Sequence, residues 1–165
     1  MSSYQTVFGS LDSYDKGGVQ VIDANPKHYV FSNVFEVAAT SKPYEKVAVA
    51  RNLKYVLEAV RAEGVSPWFA AAHDEAVLVM DGDVEIRLVK PDDPVVAQGT
   101  EGTVKVGGEP RGRSMGWIKA TRGHMALLPK GATYQFRAPK PSVMLLQTLV
   151  GGLTAQKWAD ICQVS

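Results

Sequence analysis

His73, Asp74 and Glu75 stand together in the stretch WFAAAHDEAVLVMDGDVEIRL, which runs from Trp68 to Leu88. Histidine and carboxylate are the side chains that hold a non-haem iron. Such a site needs two imidazoles and one carboxylate facing one point, with positions left open for oxygen and substrate. His73 lies two residues before Glu75, and the period of two along a strand turns both to the same face. The supply of imidazoles is thin, because the chain has 3 histidines and the other two, His28 and His124, lie far away in sequence. Tyr134 could add a phenolate, which favours ferric iron. The one cysteine, Cys162, rules out an internal disulfide, fits a reducing cytoplasm and reads as a small buried hydrophobe.

The elements that must position these groups are mostly short strands. Residues 1–17 are polar and read as a flexible N-terminal arm. Val19–Ile22 and His28–Val37, with YVFSNVFEV, have the β-branched and aromatic content of strands. Residues 52–62 read as a helix: Leu53, Val56, Leu57 and Val60 fall on one helical face, Asn52 could cap the start and Gly64 sits past the end. Trp68 to Lys90 reads as two strands joined at MDGD, where Asp81-Gly82 signals a hairpin. Residues 91–115 form a long Gly/Pro-rich loop, of the kind that is functional or mobile. Strands are expected at 116–120, 124–128, 133–138 and 142–150, and TAQKWADIC closes the chain as a short helix with Thr154 as N-cap.

Composition narrows the function classes. With 165 residues the chain is long enough for one domain with a real core, and 45% hydrophobic with 21% charged residues is ordinary for a soluble protein. No apolar run approaches the ~18–20 residues of a membrane span, and no secretory signal is visible. Net charge is +1 but uneven: residues 1–100 carry nine Lys/Arg against fourteen Asp/Glu, residues 101–140 eight against two, Glu101 and Glu109. The basic residues lack aromatic interleaving, so the asymmetry points to a protein interface or an anionic ligand rather than to nucleic acid.

Two spacings then define a fold. Six residues separate Glu75 from Gly82, and Gly123, Pro129 and Gly131 keep a Gly-x5-Pro-x-Gly frame. Both resemble the two cupin motifs, which implies an all-β fold: a cupin-type double-stranded β-helix, or jelly-roll barrel, with one or two short helices, spanning 18–165. In that register the first-motif histidines fall at Phe69 and Ala71, or at Trp68 and Ala70. The second-motif histidine falls at Tyr134, and the terminal position at Ala138. The glycines and proline of the barrel are kept and the ligands are gone, so this chain alone is expected to hold no metal. His73 is then either a displaced ligand or acid–base group, or a barrel-lining histidine bonded to a neighbour. Glu75 inside a barrel needs a partner such as His73, Tyr134 or an arginine. Trp68, Phe69, His73, Glu75 and Tyr134 are the candidate pocket or polar cluster. His124 is expected on a strand outside the site and His28 at a strand start, both in structural roles.

Longer segments sharpen the resemblance. PYEKVAVARNLKYVLEAVRAEGVSPWFAAAHDEAVLVMDGDVEIRLVK, GHMALLPKGATYQFRA and LLQTLVGG with KWADIC resemble the small subunit of two-component hydroquinone 1,2-dioxygenases over residues 43–165. Enzymes of that family open hydroquinone with oxygen to 4-hydroxymuconic semialdehyde, using ferrous iron in a heterotetramer of small and large subunits; the lone cysteine and missing secretory signal of this chain point to a cytoplasmic location. The resemblance implies that the large subunit, also a cupin, supplies the iron ligands, and that this chain gives scaffold, interface and part of a pocket wall, with Trp68 and Phe69 as wall candidates. Two rivals are a stand-alone metal-free cupin that binds a small molecule, and an iron enzyme using His73, Glu75 and Tyr134 as an unusual triad.

Overall fold

The structure is a computed structural model and describes residues 9–15, 17, 22 and 32–161. His28, Cys162 and the expected strand at 19–21 lie outside the described residues, as does most of the one expected from His28. Ten strands and two short helices follow in chain order: α1 (Val34–Thr40), β1 (Lys46–Asn52), β2 (Tyr55–Val65), β3 (Trp68–Ala71), β4 (Glu75–Asp81), β5 (Asp83–Pro91), β6 (Thr103–Val106), β7 (Gly112–Thr121), β8 (Met125–Leu128), β9 (Thr133–Leu149), β10 (Thr154–Ala155) and α2 (Trp158–Ile161).

β9 is the spine. Its 17 residues run where two strands were expected. β2 and then β3 line one edge of it, and β4 and then β5 line the other, all antiparallel. β7 adds to β5, β8 to β4, β1 to β2 and β6 to β3. The sheet curls on itself as a cupin-type barrel, and its inner face packs Val60, Val77, Ile86, Leu128, Phe136, Met144 and Leu146 into one buried core. A smaller cluster on the outer face joins Val37 of α1, Val47, Ala59 and Leu145, with Ile161 of α2 packed against it.

Several sequence expectations are corrected. The helix at 52–62 is a β-hairpin: β1 and β2 pair from Lys46↔Val60 to Asn52↔Tyr55 around Leu53–Lys54, and Leu53 takes a left-handed φ of 56°. The helical spacing misled because Glu58 is an inward residue. With it counted as a core position, Val56, Glu58, Val60 and Ala62 alternate as a strand. Gly64 is no helix stop; it sits at a register shift in β2. Val34–Val37 is helical rather than extended, because Asn33 caps α1 by accepting the Phe35 N–H at 2.9 Å. Within 91–115, residues 103–106 are β6 and β7 begins at Gly112. Thr154 caps no helix: Thr154–Ala155 pairs parallel to β1, and among the described residues α2 is Trp158–Ile161.

Asp81-Gly82 is not a hairpin. β4 and β5 do not pair with each other; they run end to end along β9, and Gly82 is the kink between them. Its φ is +80°, and a Cβ there would lie 2.2 Å from Ser142 Oγ, which itself accepts the Asp83 N–H at 3.2 Å. Gly82→Ala is therefore expected to destabilise the chain by about 2 kcal/mol or more through left-handed strain and the displaced serine. Urea denaturation against the native chain measures it.

Candidate functional site

Glu75 begins β4 and points inward with 1% of its surface exposed. A carboxylate so buried is costly unless hydrogen bonds replace its water. Tyr134 of β9 donates to Oε2 at 2.5 Å, while Thr103 of β6 and Thr148 of β9 donate to Oε1 at 2.5 and 2.7 Å. All these partners are buried. The Tyr134 hydroxyl is pushed well above its ordinary range, first by burial and then by the neighbouring Glu75 charge and bond.

Thr103 enters through a tight crossing. Gly102 has φ +75°, and a Cβ on it would lie 2.5 Å from the Gly151 Cα, so only glycine lets β6 pass close enough to aim Thr103 at Glu75. His73 is not on β4 with Glu75, as alternation predicts, but in the bend between β3 and β4. Its Nε2 lies 3.0 Å from Thr148 Oγ1. The single Thr148 proton goes to Glu75, so His73 Nε2 must carry a hydrogen and donate. His73 thus supports Glu75 through Thr148, while its buried Nδ1 has no partner among the described residues.

The structure therefore brings Phe69, His73, Glu75 and Tyr134 together. Phe69 is 4% exposed, and its ring centroid lies 5.9 Å from that of Tyr134. Ala71 is buried beside them and offers no donor. Trp68 is left out: it lines an outer cleft of about 370 Å³ with Arg87, Pro110 and Trp117. His124 sits in the turn after β7 rather than on a strand, where Nδ1 accepts the Thr121 N–H at 2.9 Å.

Sequence reasoning missed Thr103, Thr148, Lys46 and Glu58. Lys46 is 3% exposed, and its Nζ lies 4.6 Å from the Phe69 ring centroid. Burial pushes its pKa down, while the Glu58 and Glu75 charges hold it up. Glu58 is 1% exposed, accepts from Thr154 at 2.7 Å, and has its pKa raised by burial. The strand alternation through Val56, Glu58 and Val60 was the signal available for Glu58. Nothing local marks the threonines, which reach Glu75 only across the barrel.

Ferrous iron does not fit these residues. Glu75 is the one carboxylate at the cupin-motif ligand positions, both its oxygens are committed to hydroxyl donors, and phenyl and methyl groups stand at 69 and 71. Among the described residues no group of three or more His, Cys, Asp or Glu side chains could hold a metal ion. None of the described helices is long and apolar enough to cross a membrane.

Fold and centre together define a cupin-type barrel protein with a closed carboxylate cluster where such barrels hold metal. No protein-family model and no curated protein matches the chain. Solved structures do. The chain is 52% identical to a chain of hydroquinone 1,2-dioxygenase PnpCD, solved with Cd2+ and 4-hydroxybenzonitrile, over 98% of both chains with a TM-score of 0.92. It is 54% identical to a chain of hydroquinone 1,2-dioxygenase from Sphingomonas sp. TTNP3, solved with 4-hydroxybenzoate, over 99% of both with a TM-score of 0.94. The chain therefore belongs to the hydroquinone 1,2-dioxygenase family and is a subunit of such a ring-cleaving oxidoreductase. A further match in PnpCD with Fe3+ is 12% identical, covers 86% of this chain but 39% of that one, and has a TM-score of 0.62, a likeness of fold alone.

Two outcomes are expected from this geometry. Tyr134→Phe leaves a buried carboxylate short of one donor and should cost ~1–3 kcal/mol of stability in a urea melt. In a near-ultraviolet alkaline titration, Tyr134 and Tyr44 should ionise above the ordinary tyrosine range while the chain is folded. Burial pushes Tyr44 up to about 12. Both folded pKa values lie above the unfolded one, so their contribution is full below the ordinary tyrosine range and is lost as pH rises through the folded values.

Proposed function

We propose that this chain is the small, non-iron-binding subunit of a heterotetrameric, iron(II)-dependent dioxygenase that converts hydroquinone to 4-hydroxymuconic semialdehyde with oxygen. The observation that carries this reading is the Glu75 carboxylate, whose two oxygens are occupied by Tyr134, Thr103 and Thr148. A carboxylate held that way is a structural group, so the ligands fall to a second, larger cupin subunit. A longer chain of the same fold in PnpCD supports such a partner. Trp117 on β7 and Met125 and Leu127 on β8 are 57%, 70% and 59% exposed, and supply apolar area for a subunit contact.

In this reading the chain contributes scaffold and interface. Phe69 belongs to the closed centre, whereas Trp68 faces an open cleft and is the residue for a pocket wall on substrate. Iron supplies oxygen activation when bound to the partner. The residues of this chain keep their own barrel closed and present the Trp68 side.

The test is metal analysis with reconstitution. The chain purified alone should hold no stoichiometric iron, and ring cleavage should appear only on mixing with the large subunit. About one tightly held iron per chain, abolished by His73→Ala, would favour the His73, Glu75 and Tyr134 triad instead. In the assembled enzyme, Trp68→Ala should raise KM for hydroquinone about 10-fold while leaving iron content unchanged, as loss of one aromatic contact predicts.

A further inference from the structure

The interior of the barrel holds more charge than the Glu75 clamp explains. Lys46 starts β1 opposite Val60 of β2, Glu58 lies two residues back along β2, and Glu75 begins β4. All three are at least 97% buried, since their exposures are 3%, 1% and 1%. Glu75 is fully bonded, but Glu58 is not: Thr154 satisfies Oε1, and Oε2 has no hydrogen-bond partner among the described residues. Lys46 Nζ stands over the face of Phe69. Phe69 stands at a motif position where a metal-ligating histidine is expected, so an ammonium 4.6 Å from its ring lies in the space toward which ligands of such a barrel converge.

We infer that Lys46 is the fixed internal cation of this barrel: its ammonium takes the place of a metal ion and balances the buried carboxylates of Glu58 and Glu75. Two carboxylates in a low-dielectric interior repel each other and each loses its hydration. In a metal-loaded barrel a divalent ion offsets this. Here a single ammonium on a strand that pairs with β2 does so, with the Phe69 ring contributing a cation–π contact. Burial lowers the Lys46 pKa on balance, and the Glu58 and Glu75 charges oppose that fall, which is the coupling the inference uses. The inference rests on the centre holding no metal, as the proposed function has it. It is read from coupling within this chain alone, so it can fail while the assignment of iron to the partner stands.

A double-mutant cycle on the full chain tests it, with Lys46→Met, Glu58→Gln and the pair, read as thermal midpoints. Methionine keeps the apolar stem and removes the charge. Lys46→Met should lower Tm by on the order of 10 °C, because removing one partner leaves an uncompensated buried charge. Glu58→Gln in that background should recover the larger part of the loss, although Glu58→Gln in the native chain lowers Tm. If Lys46→Met does not fold at all, recovery of a cooperative melt in the double variant is the supporting result. Additive effects, a Lys46→Met chain as stable as the native one, or a double variant as unfolded as the single would each overturn the inference.

Discussion

A carboxylate sealed inside a β-barrel sets the terms for much of this structure. Removing Glu75 from water costs several kcal/mol, and attraction or hydrogen bonding must offset it with good geometry. The bonds come from two other strands: Tyr134 and Thr148 lie 14 residues apart on β9, and Thr103 is on β6. The length of β9 allows this, because one end pairs with β3 and β5 and the other with β4. Glycine at 102 lets β6 pass close to 151. Deleting any donor leaves the others intact and the charge underpaid, so the cluster behaves as a unit rather than as separate bonds.

The frame that surrounds a metal in a cupin barrel is also the frame that closes the fold. Gly82 kinks β4 into β5, and Gly123 and Gly131 take left-handed backbone at the turns around β8. No imidazole stands at 69, 71 or 134, while those turns are present. Phenylalanine and tyrosine refill the volume, packing with Phe136 at a centroid distance of 5.3 Å from Tyr134.

The motif frame made the all-β barrel and the meeting of Glu75 with Tyr134 legible before any coordinates, because turn residues and ligand spacings are local patterns. Elements whose core positions are polar were not. Glu58 made β2 look helical, since a carboxylate at an inward position breaks the apolar alternation a reader counts. Asp81-Gly82 carries the signal of a hairpin, but pairing partners are chosen by the long β9 and not by the dipeptide. Thr103 sits in a Gly/Pro-rich stretch that reads as loop, and its role exists only because β6 folds onto β3. Nothing in the sequence marks Lys46, because lysine is mostly exposed. It is buried and its ammonium meets the Phe69 ring, a contact made only once β1 and β3 close into one barrel.

Crystals of the assembled enzyme, measured at the iron absorption edge, test the central claim most directly. The account predicts an anomalous peak in the barrel of the larger subunit and none between Glu75, Tyr134 and Lys46. A peak within bonding distance of the Glu75 carboxylate, with Thr103 and Thr148 turned away from it, would contradict the account.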